Sequence, residues 1–400
     1  MKKILLLGGS RYLIPVIESI HKLGYYAVTC DYIPDNVAHK YSDEYYNISI
    51  VDKKAILKLA RDLKVSGIMS FATDPGVITA AYVAQELGLP SCGPYDSVCI
   101  LQNKDLFRKF LTENGFAVPH AKGYASAEDA LKDLDWYNRP VIVKPVDCAG
   151  SKGITRVNNY KHLKESIQYA LYFSRSKRFI IEDFIIKEGF SSDTDCFTIE
   201  GKLKFVSFSN QMFDEKAKNP FTPAAYSWPS VMAKEYQDKL ENELSRLLNL
   251  LGMQTSIFNI ETCVGSDGKA YIMEVAPRGG GNRLAEILRY ATGVDLITNA
   301  VRASVGDTVT DIKPAVYNGF WIEIILHGIK EGKFKELWID EYIQKEYVVE
   351  IDLWVEPQDC VFGFNGANEA IGTLLLKFDT QKQLENIMSC QDQWMQIILE

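Results

Sequence analysis

The stretch Ile257 to Arg283, IFNIETCVGSDGKAYIMEVAPRGGGNR, constrains this chain more than any other. Two runs of alternating apolar and polar residues flank Ser266-Asp267-Gly268. Asp-Gly between such runs is among the strongest short-range hairpin signals. With Asp267 and Gly268 as the two turn residues, Ser266 pairs with Lys269 and Glu261 falls directly opposite Glu274. Their side chains then leave one face with Cβ atoms roughly 5 Å apart. Two carboxylates so placed repel, and a bound hard cation is the simplest reason to bring them together. Pro277-Arg278-Gly279-Gly280-Gly281 adds an arginine and a flexible backbone at the strand's end. The hairpin reads as a magnesium and phosphate site; taken alone, it reads equally as an exposed acidic hairpin.

Four hundred residues are enough for two or three domains with large cores. The net charge of -8 excludes the basic footprint of a general nucleic-acid binder, so no nucleic-acid partner is expected. A local basic pocket for phosphates remains compatible with it. The eight cysteines form no C-x-x-C pair, which argues against a zinc site or a disulfide framework. Free thiols fit a reducing cytosol, so a cytoplasmic location is expected. The opening MKKILLLGGS has too short an apolar run for a signal peptide, and no apolar run of about 18 residues could span a membrane. The five histidines are dispersed, with no metal-ligand spacing.

In chain order, Lys3 to Leu7, a helical pattern from Ile14 to Ile20 and the run Ala27 to Cys30 make a β-α-β opening, the start of a parallel sheet. Gly8-Gly9-Ser10 at the first strand's end reads as a tight turn, not as a G-x-G-x-x-G dinucleotide site. A strand Tyr46–Ile50, a helix Lys53–Leu63, a strand Gly67–Phe71 and a helix from Asp74 to Leu87 complete a first domain over 1–100. Asn103 to Gly115 is an amphipathic helix. Pro140 to Lys144 reads as a buried strand, followed by a glycine loop from Val146 to Ile154 and a return strand Thr155–Val157. Gly150 and Gly153 would let backbone N–H groups approach phosphate oxygens, and Lys144 brings a fixed positive charge. The spacing is not that of a P-loop.

The run FIIEDFII from Phe179 to Ile186 is a buried strand interrupted by Glu182 and Asp183, carboxylates that need partners there. Strands are expected at Cys196–Ile199 and Leu203–Phe208, and the aromatic stretch Asn210 to Pro229 reads as a lid or substrate loop. A helix Glu235–Leu251 leads into the hairpin, and helices Leu284–Tyr290 and Leu296 toward Val305 follow it. After a linker at Thr308–Ala315, strands Phe320–Leu326, Tyr347–Val355 and Ile371–Phe378 and a helix Gln381–Cys390 form a strand-rich end.

The order of these pieces resembles the ATP-grasp superfamily of ligases over most of the chain. PVIVKPVDCAGSKGITRV, FIIEDFI and FNIETCVGSDGKAYIMEVAPRGGG carry the resemblance. ILLLGGS, GIMSFATDPGVITAAYVAQELGLP and NKDLFRKFLTENGFAVP look like the branch of carbamoyl-phosphate synthetase, biotin carboxylase and L-amino-acid ligase. The implied fold is α/β (α+β): an N-terminal parallel-sheet domain over 1–100, an ATP-grasp domain over 101–306 with a lid subdomain at about 118–186, and a small α+β domain over 307–400. The resemblance implies ATP and magnesium (or manganese). Lys104 and Lys144 would hold the α- and β-phosphates, and Gly150, Ser151 and Gly153 would close over the triphosphate. Glu182 would accept from the adenine amino group, the backbone of Asp183 and Ile185 would read the ring edge, and Glu188 would contact the ribose. Glu261 and Glu274 would ligate the metal, and Arg278 would neutralise the transferring phosphoryl.

The implied reaction converts a carboxylate into an acyl phosphate, which an amine attacks to form an amide or peptide bond. Its partners would be a small carboxylate and an amine, amino acids among them. Homodimerisation is common in the superfamily, though no surface stripe establishes it here. The superfamily usually reads Glu-x-Asn-Pro-Arg where this chain has Glu274-Val275-Ala276-Pro277-Arg278, and alanine offers no oxygen. Asn259, opposite Ala276 in the expected register, or a water would fill that position. Gly279 to Gly281 reads either as a carboxylate-binding turn or as a flexible one. Two other functions stay open: a nucleotide-binding accessory protein with a weakened metal site, and a purine-pathway carboxylase or transformylase.

Overall fold

The computed structural model describes every residue except Arg139 and Ala149. The chain opens with β1 (Lys3–Leu7), β2 (Tyr26–Cys30), β3 (Glu44–Tyr46) and β4 (Gly67–Met69), a parallel sheet in the order β3-β2-β1-β4. Alternate residues of β1 feed two cores. Ile4 and Leu6 pack with the helix Ile14–Lys22, while Leu5 and Leu7 pack with the helices Lys53–Leu63 and Asp74–Leu87. Coverage on both faces explains the unbroken apolar run. The third strand ends at Tyr46, where the sequence had suggested it would begin. The next helix, Lys53–Leu63, is capped by Asp52, which accepts from Ala55 N. A helix Tyr95–Gln102, not anticipated, precedes the amphipathic helix Lys104–Glu113.

Next come β5 (Ala121–Tyr124), β6 (Val141–Pro145), β7 (Thr155–Val157) and β8 (Phe179–Asp183), an antiparallel sheet in the order β5-β8-β6-β7. The helix Leu163–Phe173 closes one face, with Leu163, Ile167 and Ala170 against Val141, Val143, Phe179 and Ile181.

Then follow β9 (Ser192–Ile199), β10 (Lys202–Phe205), β11 (Asn210–Phe213), β12 (Pro223–Trp228), β13 (Ser256–Val264) and β14 (Ala270–Ala276). Four of them form an antiparallel sheet, β10-β9-β13-β14. Its apolar face, with Cys196, Phe258, Ile260 and Val275, packs on Leu240, Leu244, Leu247 and Leu248 of the helix Lys234–Leu250. The stretch expected as a lid loop is instead largely the hairpin of β11 and β12. Its alternation explains why: Tyr226 and Trp228 enter one core and Ala225 another, so the segment is buried on both sides.

The remaining strands are β15 (Phe320–His327), β16 (Gly332–Ile339), β17 (Val348–Leu353), β18 (Cys360–Val361), β19 (Ala370–Phe378) and β20 (Met395–Leu399). β11 and β12 join three of them in a five-stranded sheet, β11-β12-β15-β19-β17, so residues 210–228 share a sheet with the last part of the chain. A small sheet, β18-β16-β20, lies beyond it. Among the described residues, no helix is long and apolar enough to cross a membrane.

Candidate active site

The acidic hairpin pairs Glu261 with Glu274 and Asn259 with Ala276. Its turn is not the expected two-residue one. Gly265 N donates to Lys269 O at 2.9 Å and Gly268 N to Gly265 O at 2.9 Å, so Ser266-Asp267-Gly268 forms a three-residue loop. Gly268 sits at φ +72°, the left-handed conformation such a loop places on glycine. The extra residue shifts the register by one, and a bulge at Met273 shifts it back before Glu274. The Met273 carbonyl at the bulge accepts from Arg108 Nη1 at 2.8 Å.

A third strand extends the acidic face. β9 places Asp193 opposite Glu261 and Asp195 opposite Asn259, so Asp193, Glu261 and Glu274 form a row across three strands. Burial, reinforced by Glu261, pushes the Asp193 carboxyl up to about 7. Burial likewise pushes Asp195 up to about 7, and burial with Glu274 alongside raises Glu261. The Asn259 amide nitrogen donates to Asp193 Oδ1 (2.8 Å), Thr194 O (3.1 Å) and Asp195 Oδ1 (3.4 Å). All three are acceptors, so the amide orientation is forced and only Oδ1 is left for a cation. Gly280 N donates to Asp195 Oδ1 at 2.8 Å, and a Cβ there would stand 2.8 Å from Asn259 Nδ2. The glycine turn thus closes against the acidic face.

Among the described residues, no group of three or more His, Cys, Asp or Glu side chains converges to hold a metal ion. The Glu261–Glu274 pair nonetheless fits magnesium, which takes one or two protein carboxylates and completes its shell with phosphate and water.

The basic residues approach from the other sheet and from the helix Lys104–Glu113. Lys104 Nζ lies 3.0 Å from Cys148 O in the glycine loop and 3.2 Å from Glu274 Oε2. Burial opposes its charge, but Glu274 outweighs burial and raises its pKa. Lys144 lies diagonally across β6 and β8 from Glu182 and pairs with Glu182 Oε1. Burial, with Arg108 and Lys104 nearby, lowers Lys144 despite that pair. Glu182 Oε2 accepts from Arg108 Nε at 3.0 Å. Burial would raise Glu182, but Arg108 and Lys144 overcome it and hold the carboxyl at about 2. Both oxygens of the residue expected to face an adenine amino group therefore already meet cations, each keeping a lone pair.

Asp183 accepts from Asn138 N at 2.8 Å and pairs with His120, and its own N–H donates to His120 O. Ile185 is half-buried beside Gly265. Glu188 is exposed, with its N–H bonded to Val264 O at 2.9 Å. In the glycine loop, Gly150, Ser151 and Gly153 all take left-handed φ values of +69°, +57° and +76°. Ser151 Oγ donates to Phe221 O at 2.9 Å, which ties this loop to the tip of the β11–β12 hairpin. Ala149 lies outside the described residues. At the N-terminal turn, Gly8 and Gly9 are covered by Thr73 and His39, as a tight turn requires.

Arg278 is nearly buried and makes a bidentate pair with Asp74, Nε to Oδ1 at 3.1 Å and Nη2 to Oδ2 at 2.8 Å, with Nη1 on Gly279 O at 3.0 Å. Burial would raise Asp74, but Arg278 lowers it. Four residues of this region carry contacts that the sequence alone does not assign: Asp74, Arg108, Asp193 and Asp195. Two left a signal. Arg108 stands four residues after Lys104, on the same helical face, and Asp193 and Asp195 have the strand period of two.

Residues 137–286 match the family model of the ATP-grasp domain. That segment spans the Lys144 strand, the glycine loop, the acidic hairpin and the glycine turn, and the chain therefore carries an ATP-grasp domain. Within that superfamily it resembles the branch of carbamoyl phosphate synthase, biotin carboxylase and L-amino-acid ligase. The carbamoyl phosphate synthase large chain of Ralstonia nicotianae is 24% identical over 283 residues, 70% of this chain and 23% of that one. The crystal structure of L-amino acid ligase from Bacillus licheniformis superposes with a TM-score of 0.81 at 19% identity, covering 100% of this chain and 99% of that chain. The biotin carboxylase domain of the Hydrogenobacter thermophilus 2-oxoglutarate carboxylase, solved with MgADP and bicarbonate, gives 0.75 at 15% identity, covering 100% and 91%. At such identities the superpositions establish the fold. The chain spans between 23% and 56% of the length of the curated relatives it matches.

Proposed function

We propose that this chain is an ATP-dependent, ADP-forming ligase that joins a carboxylate to an amine. One observation carries the reading: Lys104 Nζ touches both the glycine loop at Cys148 O (3.0 Å) and the metal-side carboxylate Glu274 (3.2 Å). A cation that touches both the glycine loop and the acidic hairpin supports a nucleotide phosphate and a magnesium ion meeting there. The MgADP in the Hydrogenobacter structure supports the same nucleotide and metal here.

In this account Lys104 and Lys144 hold the α- and β-phosphates, and Gly150, Ser151 and Gly153 cover the triphosphate. Glu182, Asp183 and Ile185 border the adenine, and Glu188 reaches the ribose. Glu261 and Glu274 hold magnesium or manganese, which when bound neutralises phosphate charge. A carboxylate oxygen attacks the γ-phosphorus as the bond to ADP breaks. The amine nitrogen then attacks the acyl carbon, phosphate leaves with the bridging oxygen, and the amine protons pass to solvent. Arg278, beside Glu274 and Asp195, adds positive charge where phosphoryl charge develops.

A second reading, a nucleotide-binding accessory protein, draws on Ala276 and on the committed amide of Asn259. Phosphate release from ATP, measured with a panel of amino acids and small carboxylates, separates the two. The ligase reading expects release stimulated only by a carboxylate–amine pair and abolished in Glu274→Gln. Tight ATP binding without turnover for any pair would support the accessory role.

A further inference from the structure

Beside the acidic face lies a small cleft, which none of the roles above uses. Arg283, Glu286, Tyr290, Glu323, Thr373 and Leu375 line it. It is connected to the carboxylate row. β12 pairs with β15 so that Tyr226 stands directly opposite Glu323. The Tyr226 hydroxyl donates to Asp193 Oδ2 at 3.1 Å and accepts from Asn282 Nδ2 at 3.2 Å, while Asn282 Oδ1 accepts from Tyr12 at 3.1 Å.

Glu323 is the unexplained group. It is 2% exposed, and neither carboxylate oxygen has a hydrogen-bond partner among the described residues. A buried carboxylate is not ordinarily left so. The neighbouring arginine does not serve it. Arg283 gives Nε and Nη2 to Glu286 (3.2 and 3.0 Å) and Nη1 to Thr373 Oγ1 (3.0 Å), and pairs with Glu350 at 2.6 Å. Every guanidinium nitrogen has a partner other than Glu323, while Arg289 acts on Glu286 and not on Glu323. Burial, with Glu286 and Glu350 alongside, outweighs Arg283 and raises Glu323 well above the ordinary carboxyl range, so the group lacks a compensating cation. The site therefore has an open acceptor short of a cation, a tyrosine ring and the apolar Leu375. A cationic nitrogen on a short apolar body meets all three.

We propose that this cleft binds the ammonium group of the amine substrate, with the Glu323 carboxylate as its hydrogen-bond acceptor. The substrate class rests on the ligase reading, but binding does not require turnover. Tyr226 links the cleft to Asp193, which faces Glu261, so an amine held here stands next to the metal end of the site.

The test titrates n-propylammonium chloride into the full chain and follows saturation transfer by NMR, with MgADP binding measured in parallel. Expected are saturable binding of propylammonium, no binding of n-propanol at equal concentration, and about tenfold or greater weakening in Glu323→Gln with MgADP affinity unchanged. The propylammonium and propanol comparison uses the unaltered chain, so it stands even if the variant folds poorly. Equal binding of propanol, displacement by equimolar potassium chloride, or no saturable propylammonium binding overturns the proposal. Propylammonium binding without any MgADP binding would instead sink the ligase reading and leave the cleft assignment standing.

Discussion

Glu182 shows how single residues are balanced in this site. It is buried between Lys144 and Arg108, and those cations hold its carboxyl at about 2, well below its ordinary 4.5. A depressed carboxyl gives stability that is present above the unfolded pKa and lost as pH falls through the folded one. Between about pH 4.5 and 2 the folded chain should therefore lose stability, and Glu182→Gln should lose less over that window. Urea midpoints of the two proteins at pH 5 and pH 3 check this. Arg108→Met leaves Glu182 with one cation and the Met273 carbonyl without its donor, and should cost about 3–5 kcal/mol in urea unfolding. Lys104→Met removes a charge-assisted contact and should weaken MgADP binding about 10- to 100-fold by calorimetry. An unchanged affinity would place the phosphates away from Lys104. Lys144 and Lys104 were legible as cations in the sequence; their partners were not. Arg108 has no visible partner until its helix is docked, because the groups that receive it are the Glu182 carboxylate of β8 and the Met273 carbonyl of β14.

At the scale of the element, the acidic hairpin reaches the expected pairing by an unexpected path. The expected opposition of Glu261 and Glu274 holds, although the turn has three residues rather than two. Two irregularities cancel, the longer loop and the bulge at Met273. Neither was readable: both depend on what the backbone meets, and Arg108 waits at the bulge from 165 residues away in sequence. Since the loop places Gly268 at φ +72°, Gly268→Ala should cost about 1–2 kcal/mol, measured by urea unfolding. No measurable cost would mean that the turn takes another form. The β11–β12 hairpin looks like a loop in the sequence for a related reason. Its period-two pattern at Ala225, Tyr226 and Trp228 is plain, but prolines at 223 and 229 frame it and its strand partner β15 lies about a hundred residues on.

Across the whole molecule, two joints hold the site together. Asp74, at the start of a helix in the parallel-sheet domain, fixes Arg278 after the hairpin. Ser151 ties the glycine loop to the β11–β12 tip, which belongs to the sheet of the last strands. Asp74→Ala would leave a nearly buried arginine without its carboxylate and should cost about 3–5 kcal/mol in urea unfolding. A cost below about 1 kcal/mol would show that the joint is not needed. The class of fold was legible from the succession of a β-α-β opening, a lysine-ended strand with a glycine loop, and an acidic hairpin. The sharing of one sheet between residues 210–228 and the end of the chain was not, because strand pairing across such separations leaves no local mark.

The central claim is that ATP activates a carboxylate through an oxygen–phosphorus bond. It is tested most directly by supplying a carboxylate labelled with oxygen-18, together with an amine that supports turnover, and analysing the released phosphate by mass spectrometry. The account predicts one labelled oxygen per phosphate, because the bridging oxygen of the acyl phosphate leaves with phosphorus when the amine attacks. Phosphate released at the same rate without label would mean that water, not the carboxylate, attacks ATP, and would contradict it.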